Sequence, residues 1–163
     1  MLREFLKNWS PTVQTSAEQR QAGALPYALV DGRMAFLLVT SRRTGRWIFP
    51  KGAIEPGMTA WDSAALEAEE EAGVQGIIDV EPIGSYRASA GSDGSTLVDI
   101  DIYPMQVQVQ LESWKEMDQR LRHWAILPEV RRLLADPALS RLAVSLHGKL
   151  ATKPQAISRF STK

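Results

Sequence analysis

Cysteine is absent from the 163 residues of this chain. Without cysteine the chain has no disulfide, no thiol nucleophile and no sulfur-ligated zinc site. The longest apolar run, from 34 to 39, is far too short to cross a membrane. Arg3, Glu4 and Lys7 interrupt the N-terminal residues, so we expect no signal peptide there. These absences predict a protein of the reducing cytoplasm that does not bind a membrane.

An excess of charge is also absent, because 19 Lys and Arg residues balance 19 Asp and Glu residues. A chain without a basic excess is not expected to bind nucleic acid. Its 44% hydrophobic residues can form a real core, and its length leaves little room for a second domain. We therefore predict an N-terminal arm at 1 to 20, one domain at 21 to 150 and a C-terminal tail at 151 to 163.

Several catalytic motifs are missing as well. The glycines at 52 and 57 lack the Lys-Ser or Lys-Thr that ends a nucleotide P-loop. No Gly-x-Ser-x-Gly and no Gly-x-Gly-x-x-Gly occurs, which removes the main support for a serine hydrolase or a dinucleotide-binding enzyme. His123 and His147 are far apart in the sequence, so a structural role is the better prediction for each.

The most informative segment that is present is a glycine-bearing loop from 50 to 58, followed by a predicted helix at about 60 to 72. Thr59 is a good N-cap residue for this helix, with Asp62 at the capping-box position three residues later. Gly73 supplies the left-handed residue that ends it.

Three glutamates crowd the last turns of this helix. Glu67, Glu70 and Glu71 lie at positions i, i+3 and i+4, so their carboxylates share one face. Each like-charge pair costs about 0.2–0.5 kcal/mol, and the helix dipole also disfavours acids at this end. A solvated acidic face is one interpretation. The other is a metal site, because carboxylate oxygens suit Mg²⁺ or Mn²⁺ and a third carboxylate can take a proton from water.

The segment resembles the Nudix box, which is Gly, five residues, Glu, seven residues, Arg-Glu, an aliphatic, any residue, Glu-Glu, any residue, Gly and an aliphatic. With all spacings intact, the chain matches at Gly52, Glu67, Glu70, Glu71, Gly73 and Val74. Met58 replaces the first Glu, Leu66 replaces the Arg, and Ala68 is a smaller departure. We hypothesise that Met58 and Leu66 pack together where an ion pair would otherwise join the loop to the helix.

The resemblance extends beyond the box. Residues 40–52, 83–87 and 114–124 look like the branch of the family that contains diphosphoinositol polyphosphate phosphohydrolases and dinucleoside polyphosphate hydrolases. Membership implies an α/β/α sandwich with a central mixed sheet. It also implies Mg²⁺ or Mn²⁺ as cofactor and cleavage of a diphosphate linkage in a small-molecule polyphosphate substrate, either a nucleoside or an inositol polyphosphate.

The resemblance also implies roles for individual residues. Glu67 and Glu71 are the expected metal ligands, and Glu70 is the expected general base that also contacts the metal. Lys51 offers its backbone carbonyl to the ion or its ammonium group to phosphate. Glu116 is a candidate supplementary acid on a later loop.

A cationic segment precedes the acidic helix. Arg42, Arg43, Arg46 and Lys51 occur between 40 and 51 without an acid. Next to a metal site, such cations suit the outer phosphates of a polyphosphate, and Arg87 is a further candidate. Ordinary solvated arginines around a turn are the alternative.

Two other classes of protein stay open. With Met58 and Leu66 in the box, the domain could be a weakly active or inactive sensor that binds a phosphate ligand without turnover. A protein-interaction domain on the same scaffold would instead expose a large apolar patch.

The remaining pattern predicts alternating strands and helices. Strands at 24–30 and 34–40 are joined by an Asp31-Gly32 hairpin, and helices are predicted at 127–135 and over the leucines from Leu139 to Leu150. The apolar alternation changes phase at Pro104, which we interpret as a bulge or an edge position that keeps one face apolar. Asp99 and Asp101 are expected on the polar face of a hairpin, with a second metal site as the alternative.

Overall fold

A computed structural model describes residues 20 to 152 of the chain. The elements follow in this order: β1 Gln21–Val30, β2 Arg33–Thr40, β3 Trp47–Ile48, β4 Lys51–Ala53, α1 Ala60–Ala72, β5 Val74–Ile78, β6 Gly84–Ala90, β7 Thr96–Gln110, β8 Arg122–Ile126, α2 Leu127–Leu133 and α3 Pro137–Ala151. The predicted arm at 1–20 and tail at 151–163 lie outside the described residues, apart from Arg20, Ala151 and Thr152.

The strands form one mixed sheet. Its main path runs in the order β3-β2-β1-β7-β5, while β4 pairs with β1, β6 with β7 and β8 with β2. The pairing of β1 with β7 is parallel, and the other pairs are antiparallel. The predicted α/β sandwich with a central mixed sheet is confirmed.

Both faces of the sheet are buried. One face packs against α2 and α3 through apolar side chains that include Val130, Leu139, Leu142 and Leu146. The other face packs against α1, whose Ala64, Ala68 and Ala72 are fully buried. Their small side chains bring α1 close to the sheet, which places the helix end beside the strands that carry the candidate site.

Pro104 corrects one prediction. It lies inside the continuous strand β7, and the register with β1 passes through it without a shift. The residues before it face α2 and α3: Val98, Ile100 and Ile102. From position 103 onward the buried residues instead face α1: Tyr103, Met105 and Val107. The apolar phase therefore changes because each half of β7 buries a different face, and the predicted bulge at Pro104 was wrong.

The sheet tolerates this proline because it lies where the neighbouring strand changes. Pairing of β6 with β7 ends at Ile102, and pairing of β5 begins at Met105. Pro104 has no N–H to donate, and its carbonyl accepts a hydrogen bond from the backbone N–H of Asp79 at 2.9 Å.

The hairpin predicted at Asp31-Gly32 is confirmed, and the structure adds one short strand that the sequence did not predict. Asp31 and Gly32 have φ of 50° and 76° and form the two-residue hairpin between β1 and β2. The predicted loop from 50 to 58 contains the short strand β4, which pairs with β1 and fixes the position of Gly52. No helix between residues 20 and 152 is long and apolar enough to cross a membrane.

Asp99 and Asp101 lie on the polar face of the β6–β7 hairpin, as expected. Asp99 pairs with Arg87 across the two strands at 2.8 Å, and Asp101 pairs with Arg20 at 2.6 Å. Both carboxylates are therefore engaged with arginines.

Candidate functional site

Capping interactions fix both ends of α1, the helix that carries the three glutamates. The hydroxyl of Thr59 accepts a hydrogen bond from the N–H of Asp62 at 3.1 Å, as the capping residues predict. Gly73 ends the helix with φ of 65° in the left-handed region, and its N–H returns to the carbonyl of Glu69 at 3.0 Å. The direction in which the glutamates project is thereby fixed.

Gly52 lies directly against the carboxylate of Glu67. A Cβ atom at position 52 would stand 2.3 Å from Oε1 and 2.8 Å from Oε2 of Glu67, well inside van der Waals contact. Only glycine leaves room for the carboxylate at this place. Burial and the negative charges of Glu70 and Glu116 raise the pKa of Glu67.

Glu71 is buried, with 5% of its surface exposed. One oxygen accepts a hydrogen bond from the backbone N–H of Lys51 at 3.2 Å, and the other accepts one from the guanidinium of Arg120 at 2.8 Å. Burial raises the pKa of Glu71 to about 7, although the charge of Arg120 acts in the opposite direction.

Glu70 is more accessible than Glu71. Its Oε1 pairs with the ammonium group of Lys115 at 3.0 Å, and the Lys115 side chain is 69% exposed. Such an exposed pair contributes little to stability, so Lys115 can leave Glu70 at small cost. Glu70 is thus better placed than Glu71 to accept a proton from solvent.

The connection between β7 and β8 covers the C-terminal end of α1. The backbone N–H of Glu116 donates to the carbonyl of Glu70 at 3.1 Å, and the indole N–H of Trp114 donates to that of Glu71 at 3.2 Å. Arg122 donates to the carbonyl of Ala72 at 3.1 Å and stacks over the Trp114 ring at 3.7 Å. These donors satisfy carbonyls that the helix leaves free, and they fix the connection beside the acids.

This connection brings Glu116 and Arg120 to the acidic cluster. Glu116 is 9% exposed and Arg120 is 8% exposed. The Arg120 guanidinium lies 2.8 Å from Glu71 and 3.6 Å from Glu116, and it donates to the carbonyl of Thr40 at 2.9 Å. Glu116 was predicted from the family resemblance, but Arg120 was missed. The only sequence signal for Arg120 was its position inside the segment 114–124, which resembles the corresponding segment of the family.

The predicted cations line one cleft of about 890 Å³ beside the acidic cluster. The cleft wall includes all five predicted substrate-binding residues: Arg42, Arg43, Arg46, Lys51 and Arg87. Gly52, Glu71 and Arg120 line the same cleft, and the carboxylate of Glu67 lies against Gly52. Cations from three separate segments therefore meet next to a carboxylate of the box.

These cations differ in their partners. Arg42 pairs with Glu116 at 3.1 Å and Arg87 pairs with Asp99 at 2.8 Å. Arg43 lies against the hairpin turn between β6 and β7, because a Cβ atom at Gly94 would be 2.7 Å from its Nη1. Among residues 20 to 152, Arg46 has no ion-pair partner.

Lys51 is half buried and lines the same cleft as these arginines. Burial lowers the pKa of its ammonium group, against the raising influence of Glu71. Its Nζ lies 3.4 Å from the side-chain oxygen of Gln21. The same residue therefore presents a backbone donor to Glu71 and an ammonium group to the cleft.

The donor chemistry of the acids fits a divalent metal. Carboxylate oxygens suit Mg²⁺ and Mn²⁺, and each oxygen of Glu71 keeps one lone pair beyond its hydrogen bond. Burial, followed by the negative charges of Glu70 and Glu116, raises the pKa of Glu67, and a bound cation would favour the ionised carboxylate. Among the described residues no three acids or histidines converge on one point, so one or two carboxylates together with substrate oxygens and water would complete the coordination of such an ion.

The other predicted positions are simple to describe. Met58 is 37% exposed and Leu66 is partly buried, and their predicted contact stays a prediction. His123 makes a polar contact with Glu129 in α2. The side chains of Trp61 and Trp124 pack against the α1 side of the core.

Comparison with known proteins agrees with this geometry. The model of the NUDIX domain family matches residues 19–135. Nudix hydrolase 13, mitochondrial, of Arabidopsis thaliana is 28% identical in an alignment of 134 positions, and the match covers 69% of this chain and 65% of that protein. A diphosphoinositol polyphosphate phosphohydrolase of Homo sapiens is 25% identical over 135 residues, which are 82% of this chain and 72% of that protein.

A solved structure shows the same fold. An Ap4A hydrolase of C. elegans is similar with a TM-score of 0.67 and 20% identity, over 81% of this chain and 98% of that chain. The matched region spans 65% and 64% of the length of two Arabidopsis relatives, slightly less than two thirds. The resemblance predicted from the box is confirmed, and the chain belongs to the Nudix family.

Proposed function

We propose that this protein is a hydrolase that uses Mg²⁺ or Mn²⁺ to cleave a diphosphate linkage in a small polyphosphorylated molecule. The observation that carries the proposal is that the box carboxylate of Glu71 lines a cleft together with six cationic residues, five of them the predicted phosphate ligands and the sixth Arg120. Acids that hold a cation and arginines that hold phosphates are the two parts that such a reaction needs.

The glutamates have distinct roles in this proposal. Glu67 and Glu71 hold the ion, with the backbone of residue 52 and the N–H of Lys51 fixing their carboxylates. When bound, a divalent ion neutralises charge on the phosphates and favours ionisation of the attacking water. Glu70 accepts the proton from that water, because it is more exposed than Glu71 and has an oxygen outside its pair with Lys115.

The cleft supports a substrate with several phosphates. Arg46, Arg43 and the ammonium group of Lys51 bind the phosphates remote from the reaction, and Arg42 and Arg87 exchange their carboxylate partners for phosphate. The related proteins are named for diphosphoinositol polyphosphates and for Ap4A, so inositol and dinucleoside polyphosphates are the substrate classes we propose.

A second candidate function is binding without turnover. Two observations favour it: Glu71 is already paired with Arg120, and Met58 and Leu66 replace two charged residues of the box. In such a sensor the cleft would hold the phosphate ligand, and Glu70 would not be needed.

Turnover of a substrate panel separates the two functions. The panel contains inositol pyrophosphates, dinucleoside polyphosphates and nucleotide sugars, each assayed with Mg²⁺ and with a chelator. The hydrolase proposal predicts release of phosphate-containing products from at least one member with Mg²⁺ and no release with chelator. Tight binding of a panel member without any turnover would contradict the hydrolase and support the sensor.

A further inference from the structure

Arg120 is a buried cation in the middle of the acidic cluster. The residue is 8% exposed, and it reaches Glu71, Glu116 and the carbonyl of Thr40. Its two terminal nitrogens have partners, but its Nε is buried without a hydrogen-bond partner among the described residues. An arginine kept only for stability would be expected to satisfy all of its donors.

Most of the charged groups close to Arg120 are carboxylates. Glu67, Glu70, Glu71 and Glu116 all lie near one another at the end of α1, and burial of such carboxylates without a cation is costly. Arg120 is the buried cation that faces them, whereas the other arginine on Glu116, Arg42, is 58% exposed. In the absence of metal, Arg120 therefore supplies most of the positive charge at Glu71.

We propose that Arg120 is an internal counter-ion that holds Glu71 and Glu116 while no divalent metal is bound and that competes with the metal for Glu71. The proposal rests on the proposed function, in which Glu71 is a metal ligand. A guanidinium and a divalent ion both draw on the oxygens of one carboxylate, and they repel each other at short range. Arg120 thus sets how weakly the site binds metal, and the protein stays folded when the metal leaves.

A purely positioning role for Arg120 predicts the opposite sign. If the guanidinium only orients Glu71 for the metal, its loss leaves the carboxylate less ordered and weakens metal binding. If it competes, its loss strengthens metal binding. The direction of the change in metal affinity therefore decides between the two roles, without any measurement of hydrolysis.

The experiment is calorimetric titration of Mg²⁺ into the purified wild-type protein, Arg120→Gln and Arg131→Gln. Arg131 is an exposed residue of α2, so its variant makes the same charge change away from the site. We expect Arg120→Gln to lower the Kd for Mg²⁺ about ten-fold and Arg131→Gln to leave it unchanged. Thermal unfolding should show a lower Tm for Arg120→Gln in chelator, with a larger gain on addition of Mg²⁺ than in the wild type.

A double variant protects the test against loss of folding. Arg120→Gln with Glu116→Gln removes one charge of each sign, so the cluster keeps its balance, and Glu116→Gln alone is its reference. Tighter Mg²⁺ binding by the double variant than by its reference supports the proposal. Unchanged or weaker Mg²⁺ binding by the double variant overturns the proposed role of Arg120. In that case the proposed function still stands if the wild type binds Mg²⁺ and hydrolyses a substrate. Failure of the wild type to bind Mg²⁺ overturns both.

Discussion

Replacement of Gly52 by alanine places a methyl group against the carboxylate of Glu67. The new Cβ would lie 2.3 Å from Oε1, 2.4 Å from Cδ and 2.8 Å from Oε2. Ordinary contact begins at 3.4 Å, so the carboxylate has to withdraw by about 1 Å. The backbone at position 52 lies outside the left-handed region, so alanine itself fits the strand, and the clash falls on Glu67.

The two consequences of this clash differ in size. The end of a glutamate side chain is flexible, so we expect a loss of about 1 kcal/mol in the free energy of unfolding, at the low end for overpacking. Because Glu67 is a proposed metal ligand, its displacement by about 1 Å is expected to lower kcat/KM about 100-fold. The variant should therefore fold almost normally and fail in catalysis.

Urea unfolding and turnover with saturating Mg²⁺ measure the two effects on the same samples. Gly148→Ala is the matched control, because a Cβ there meets no atom within 4 Å and lies in α3. We expect this control to keep full activity and to gain up to about 1 kcal/mol from helix propensity. Wild-type turnover by Gly52→Ala would refute the reasoning, since the position of Glu67 against residue 52 would then be irrelevant to the reaction.

Two further predictions concern the cleft and the end of α1. Arg46→Gln should raise KM about ten-fold with little change in kcat, because Arg46 lies on the cleft wall and is proposed to bind a phosphate remote from the reaction. The exposed control Arg33→Gln should leave both constants unchanged, and equal KM values for the two variants would contradict the prediction. Gly73→Ala and Gly32→Ala each place alanine at a left-handed backbone position, but an added Cβ meets side chains within 3 Å only at position 73. Urea unfolding should therefore show that Gly73→Ala loses about 1–3 kcal/mol more free energy of unfolding than Gly32→Ala. Equal losses for the two variants would contradict that contact.

Features that depend on neighbouring residues could be predicted from the sequence. Thr59 and Gly73 fix the ends of α1 through hydrogen bonds within one turn, and the Asp31-Gly32 pair determines its hairpin by backbone conformation alone. The spacing of the box places three glutamates on one helix face. For the same reason the candidate acids could be named before the structure.

Features that depend on residues far apart in the chain could not be predicted from the sequence. Arg120 lies 49 residues from Glu71 in the sequence, and nothing local indicates that it becomes buried beside it. The change of buried face along β7 at Pro104 depends on helices that pack on opposite sides of the sheet. Likewise, the pairing of Arg42 with Glu116 follows from how the β7–β8 connection covers α1.

Some predictions stay predictions. The contact of Met58 with Leu66, the roles of the individual site residues and the cytoplasmic location rest on sequence arguments. Two of the related proteins carry names that place them in mitochondria, and localisation of a tagged full-length chain would test our expectation for this one.

The most direct test of the central claim compares Glu70→Gln with Glu69→Gln under single-turnover conditions with saturating Mg²⁺. The two residues are neighbours on α1 and undergo the same chemical change, but only Glu70 is proposed to take the proton from water. The account predicts a rate loss of about 100-fold to 10,000-fold for Glu70→Gln and wild-type rates for Glu69→Gln. Equal rates for the two variants would contradict it.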